Sequence, residues 1–117
     1  LFAVRTEWST TQATGLYVEF GTGIAFEIPK GYVGLVFPRS SISNTRHILK
    51  NSVGVIDSGY RGEVKLRFTP DDSRSSYMVG DKVGQIVFIK LPSIQLEEAE
   101  ELTISDRNSG GFGSSGK

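Results

Sequence analysis

The chain has 117 residues, with 13 Lys plus Arg balanced by 13 Asp plus Glu, and it has no cysteine. That length suits one domain burying roughly 65% of its unfolded surface, and the balanced charge gives no general attraction to nucleic acid polymers or anionic membranes. The absence of cysteine excludes disulfides, thiolate nucleophiles and Cys-ligated zinc, and with no apolar run near the roughly 18–20 residues of a membrane helix and no charged-then-apolar leader, a cytoplasmic protein is expected.

Apolar residues fall in short runs rich in β-branched and aromatic types: Leu16–Phe20, Ile24–Ile28, Tyr32–Phe37, Val53–Ile56, Val64–Phe68 and Val83–Leu91. This spacing predicts an all-β sandwich or barrel. Pro29-Lys30-Gly31 and Val79-Gly80-Asp81 read as tight connections, and Asp57-Ser58-Gly59 as the tip of a hairpin between two strands. Pro38-Arg39-Ser40-Ser41 ends an apolar strand with a cation and two hydroxyls, a set that suits a phosphate and is also common in exposed loops. His47 is the only histidine, so no His metal cluster can be built, and it reads as structural or surface.

A turn aspartate such as Asp57 is usually just a turn former, and its coupling with Tyr60 and with the tail raises the weight of a chemical role. Val64, Leu66 and Phe68 alternate with Lys65 and Arg67, so the strand buries one face and puts both cations on the other. Asp71 and Asp72 are adjacent carboxylates of a kind that can hold Mg²⁺, but their polar surroundings read as a solvated loop. Gln85 is a lone amide in an apolar strand, meeting either backbone at a sheet edge or a ligand. The stretch from Glu97 to Leu102 is too short and acidic for a stable helix and reads as a solvated connector. The whole chain is thus one domain, a β body over residues 1–106 and a Gly-rich tail over 107–117.

The tail runs Arg107-Asn108-Ser109-Gly110-Gly111-Phe112-Gly113-Ser114-Ser115-Gly116. On composition it is equally a disordered Gly/Ser segment or a wrap for a nucleotide, because its glycines can turn amides toward phosphate, Arg107 brings a fork of donors and Phe112 a face for a base.

Taken together these segments resemble the trimeric dUTP pyrophosphatases (dUTPases), which cleave dUTP to dUMP and pyrophosphate. Arg39-Ser40-Ser41 resembles the family's second motif, Gly54-Val55-Ile56-Asp57-Ser58-Gly59-Tyr60-Arg61-Gly62 the third, Gly80-Asp81-Lys82-Val83-Gly84-Gln85 the fourth and the tail the fifth. Two departures stand out. The sequence opens at Leu1-Phe2-Ala3, as though cut just after the first-motif aspartate, which implies loss of the opening strand and an impaired enzyme if the shortening is genuine; and Asn108 stands where the tail motif usually has glycine.

The resemblance implies a distorted, jelly-roll-like barrel with a flexible C-terminal tail, a homotrimer whose chains share each active site, and Mg²⁺ held by substrate phosphates and water, not by protein ligands. It gives Asp57 the role of activating the water that attacks the α-phosphorus and Arg107 that of an arginine finger arriving with substrate. A carboxylate is a weak base near neutrality, so orientation and the metal's field should supply most of the acceleration. Arg39, Ser40, Ser41, Gln85, Gly113, Ser114 and Ser115 would surround the phosphates. The backbone from Asn51 through Gly54, Val55 and Ile56 would pair with uracil, Tyr60 would exclude a 2′-hydroxyl, Phe112 would cover the base and Lys65 would touch the ligand.

Two rival readings share the fold. In dCTP deaminase a glutamate acts at the strand position that is Arg67 here, and a cation cannot serve as that base. A regulatory module that binds nucleotide with little turnover would use the same residues as the enzyme.

Overall fold

The computed structural model describes residues 1–9 and 17–116. Its strands are β1 (Arg5–Ser9), β2 (Tyr17–Ala25), β3 (Tyr32–Phe37), β4 (Gly54–Ile56), β5 (Glu63–Phe68) and β6 (Gln85–Lys90), with one 3-10 turn over Ser40–Asn44 after β3. They form two antiparallel sheets in the orders β1-β2-β5 and β4-β3-β6. The all-β expectation holds, and no helix among the described residues is long and apolar enough to cross a membrane.

The strict alternation of β5 decides how the sheets pack. Val64, Leu66 and Phe68 are buried while Lys65 and Arg67 are exposed, and the buried three meet Val18 and Phe20 of β2 and Val36 of β3, with Leu49 and Val83 from the connections. Burying each of these large side chains stabilises the fold by about 1.5–3 kcal/mol. The opposite face of β2 is covered as well, which leaves Glu19, Gly21 and Thr22 buried. Arg5 and Glu63 lie over Gly21, where a Cβ would come within 2.7 Å of both.

Several expectations about elements need correction. Ile24–Ile28 is not a strand of its own: Ile24 and Ala25 end β2, with a register irregularity between Gly21 and Ala25, and Phe26 to Ile28 lie outside any strand. The glycines at 21 and 23 mimic a turn in sequence while the chain continues along one strand. β1 was not expected, and β6 begins at Gln85 and ends at Lys90, narrower than Val83–Leu91. Leu16 lies outside the described residues. Above all, Asp57-Ser58-Gly59 is not a hairpin tip, because β4 and β5 belong to different sheets and the turn crosses between them. Pro29-Lys30-Gly31 does turn as expected, closed by the Tyr32 N–H on the Pro29 carbonyl at 3.2 Å with Gly31 at φ +86°.

His47 and Asp71 are both structural. The imidazole is buried, its Nδ1 lies 2.6 Å from the Thr69 carbonyl oxygen and its Nε2 accepts the Tyr77 N–H at 3.1 Å, so Nδ1 is the donor. Its ring stacks on Tyr77 and meets the edge of Phe20. Asp71 is buried, against the solvated-loop expectation, while Asp72 is exposed. The Ser73 hydroxyl and the backbone N–H groups of Arg46 and Ser73 hold the Asp71 carboxyl at about 2, below its ordinary 3.8. The unfolded chain therefore takes the proton first on acidification, and this stabilisation is present above pH about 4 and lost as pH falls through about 2. Asp71→Asn is expected to lower the neutral-pH Tm by roughly 5 °C and to flatten the acid-side fall in Tm, a comparison made by calorimetry across that window.

Candidate active site

The crossing from one sheet to the other builds a cavity. β4 pairs with β3 through Gly54, Val55 and Ile56 opposite Val36, Leu35 and Gly34. Being the end strand of its sheet, β4 has an outer edge with no strand partner among the described residues, and such an edge carries backbone donors and acceptors ready for another partner. Val55 and Ile56 help to line a cavity of about 630 Å³ between this edge and the polar face of β5.

Asn51, Asp57, Tyr60 and Lys65 line the same cavity, so six of the residues expected at the site come together. Gly54 lies in a small adjoining recess with Asn51 and Val55. The turn closes through the Tyr60 N–H on the Asp57 carbonyl at 3.1 Å, and the Tyr60 hydroxyl donates to the Glu63 carbonyl at 3.0 Å. This places the phenol across Gly62, where a Cβ would overlap the hydroxyl. Glycine at 62 is thus what lets the ring lie along the cavity wall. The Asp57 carboxylate is exposed and has no hydrogen-bond or ion-pair partner among the described residues.

Sequence reasoning missed Glu19, Lys50 and Glu63, which complete the wall with Arg67. Glu19 is buried and gathers both β5 cations, with Arg67 Nε 2.7 Å from one oxygen and Lys65 Nζ 3.7 Å from the other. The Arg5 guanidinium and the Gly23 amide bond Glu63 and hold its carboxyl below the usual range. The only sequence signal for Glu19 was one acid inside an apolar run.

The remaining expected residues stay out of this cavity within one chain. Arg39 Nη1 donates to the Lys82 carbonyl at 3.3 Å and lies 3.5 Å from the Ser41 hydroxyl, Ser40 opens the 3-10 turn, and Gln85 Nε2 donates to the Pro38 carbonyl at 3.0 Å. These form a second cluster where β3 ends and β6 begins. In the tail Arg107 Nε donates to the Gly110 carbonyl, Asn108 and Ser105 bond each other reciprocally, and Phe112, Gly113, Ser114 and Ser115 are exposed.

A two-sheet β fold of this connectivity, with an edge strand and an acid-bearing turn around one cavity, is the fold of the dUTPases. Over the full chain it superposes on 84% of the dUTPase of Staphylococcus bacteriophage 80alpha, solved as a single-residue variant with dUpNHpp, at TM-score 0.77 and 24% identity. It also superposes, over 86% of this chain and 81% of the other, on a variant dUTPase of phage phi11 of S. aureus, described with a structural Mg(II) ion, at TM-score 0.64 and 24% identity. Residues 5–116 match the dUTPase family.

Curated relatives agree. The chain is 41% identical over 100 residues to deoxyuridine 5'-triphosphate nucleotidohydrolase of Corynebacterium glutamicum, covering 83% of this chain and 67% of that protein. To the enzyme of the same name from Nocardia farcinica it is 38% identical over 107 residues, covering 89% of this chain and 65% of that protein. It thus spans about two thirds of their length. The chain belongs to the dUTPase family, a family of dUTP diphosphatases.

Proposed function

We propose that the chain hydrolyses dUTP to dUMP and pyrophosphate. The observation that carries this reading is the Asp57 carboxylate, without a partner among the described residues, in a cavity also lined by Val55 and Ile56 of the edge strand β4. The edge amides and carbonyls between Asn51 and Ile56 bond a uracil and leave cytosine with mismatched donors, a difference worth ~10⁴ or more in selectivity when the groups are buried. Tyr60, fixed by its bond to Glu63, packs under the deoxyribose and leaves no room for a 2′-hydroxyl.

Asp57 accepts a hydrogen bond from a water in line with the leaving group and takes its proton as oxygen bonds to the α-phosphorus; the bond from that phosphorus to the bridging oxygen breaks and pyrophosphate leaves. Among the described residues no three His, Asp or Glu side chains converge as a metal cage. Mg²⁺ would be held by the substrate's phosphate oxygens and water, and would neutralise charge on the triphosphate. Arg39, Ser40, Ser41 and Gln85, with Arg107, Phe112 and the tail serines, form the phosphate cage and lid.

The site is shared in a homotrimer. Two features support this: the cavity receives neither the Arg39 cluster nor the tail of its own chain, and β6 with its continuation exposes Val87, Phe88, Ile89, Leu91, Leu96 and Ile104, an apolar surface that calls for burial. The test is pyrophosphate release with Mg²⁺ from dUTP, dCTP, dTTP and UTP. Consumption of dUTP alone is expected; ammonia from dCTP, or tight dUTP binding without turnover, would reject it.

A further inference from the structure

Nothing in the proposed chemistry uses the Arg67 guanidinium, although it is the most strongly anchored cation of the cavity. Its Nε donates to the buried Glu19 carboxylate at 2.7 Å, and its carbon sits 4.3 Å from the centre of the Tyr17 ring. Those two contacts fix the plane of the fork from one edge and one face. Both terminal amino groups remain without a partner among the described residues. A guanidinium held this way loses little side-chain entropy on meeting a ligand, which is the usual way a recognition group is prepared.

Its place along β5 says which part of a ligand it meets. The Glu63 end of the strand lies beside Tyr60, through the Tyr60 hydroxyl on the Glu63 carbonyl. The Arg67 end lies beside Lys50 and Asn51, through the Lys50 N–H on the Arg67 carbonyl at 2.9 Å. Four residues of strand separate the two ends by roughly 13 Å, room for a sugar and a base in line. On the reading above, which this inference rests on, the sugar packs on Tyr60 and the reacting phosphorus lies by Asp57, so the base reaches toward Asn51 and Arg67.

We propose that Arg67 is a specificity-determining residue, its free amino groups donating to the 4-carbonyl edge of uracil, and that Glu19 is the positioning residue that holds it there. Cytosine presents an amino group at the same edge, so donors face donors, and the contacts to Glu19 and Tyr17 resist a shift of the guanidinium out of the way. Lys65, on the second oxygen of Glu19, keeps that carboxylate neutralised while Arg67 binds the base. Discrimination against cytosine then comes from a side chain as well as from the β4 edge.

The experiment measures Kd for the non-hydrolysable imido analogues of dUTP and dCTP, with kcat and KM for dUTP, in wild type, Arg67→Met, Arg67→Lys and Glu19→Gln, each checked by thermal melting. Arg67→Met is expected to weaken the deoxyuridine analogue about ten- to a hundredfold and to leave the deoxycytidine analogue within about threefold, with the loss in KM and not in kcat. Arg67→Lys should fail to rescue, since an ammonium cannot reproduce the fork, and Glu19→Gln should show a smaller loss of the same selectivity. Equal weakening of both analogues would mean a phosphate contact and overturn the proposal, as would an unchanged ratio in folded Arg67→Met or a loss confined to kcat. Should Arg67→Met not fold, unchanged selectivity in Glu19→Gln overturns it. A wild type that does not prefer the deoxyuridine analogue defeats the dUTP reading itself, a separate result visible before any variant is compared.

Discussion

Asp57→Asn is expected to abolish dUTP turnover, with kcat falling by about a thousandfold or more, while Kd for the imido analogue of dUTP stays within about threefold. The amide keeps the size of the carboxylate, so the cavity keeps its shape. It cannot accept the proton of the attacking water, and one of its two oxygen acceptors becomes a donor. The native carboxylate is exposed and bonded to nothing among the described residues, so replacing it breaks no fold contact and Tm should move by less than about 1 °C. Pyrophosphate release, analogue titration and melting on one preparation separate the possibilities. Turnover within tenfold of wild type would remove Asp57 from the chemistry; loss of analogue binding together with turnover would make it a binding group.

How much of this was legible in the sequence depends on the range of the interaction concerned. The β5 alternation was readable because each of Val64, Leu66 and Phe68 reports its own burial through its neighbours Lys65 and Arg67, and a period of two is a local signal. The turn at Asp57 was readable for the same reason. That β4 and β5 do not pair was not, since turn residues specify a reversal but not which sheet receives the next strand. The glycines at 21 and 23 misled because glycine serves two ends: a turn, or a place where other side chains lie flat on the backbone, as Arg5 and Glu63 do over Gly21. Glu19 was invisible as a site residue because its partner Arg67 lies 48 positions away. Asp71 looked solvated because its partners are a neighbouring serine and two backbone amides, one of them 25 positions back at Arg46, which no side-chain pattern announces.

The grouping of the site residues follows the same logic. Asn51 to Tyr60 are contiguous, so one turn and one edge strand bring them to the cavity. Arg39 and Gln85 meet because β3 and β6 pair in register, with Phe37 opposite Gln85. No short-range rule ties either group to the tail.

Removing the tail by ending the chain at Asp106, or substituting Arg107→Ala, is expected to lower kcat/KM for dUTP by about a hundred- to a thousandfold, the range for losing a transition-state cation, without changing Tm or the oligomeric state. Phe112, Gly113, Ser114 and Ser115 of the tail are exposed. Phe112 is 114% exposed, so nothing among the described residues supports the ring. A lid that stabilises no part of its own body can act on another copy, and mixing decides whether it does. Asp57→Asn and Arg107→Ala chains refolded together should regain about one quarter of wild-type activity, the random-mixing share of sites that combine an intact acid from one chain with an intact tail from another. Each variant refolded alone should stay inactive. If the mixture is as inactive as its parts, every site is built by a single chain and the shared trimer is wrong; a quarter of the activity regained requires the acid and the arginine to come from different copies.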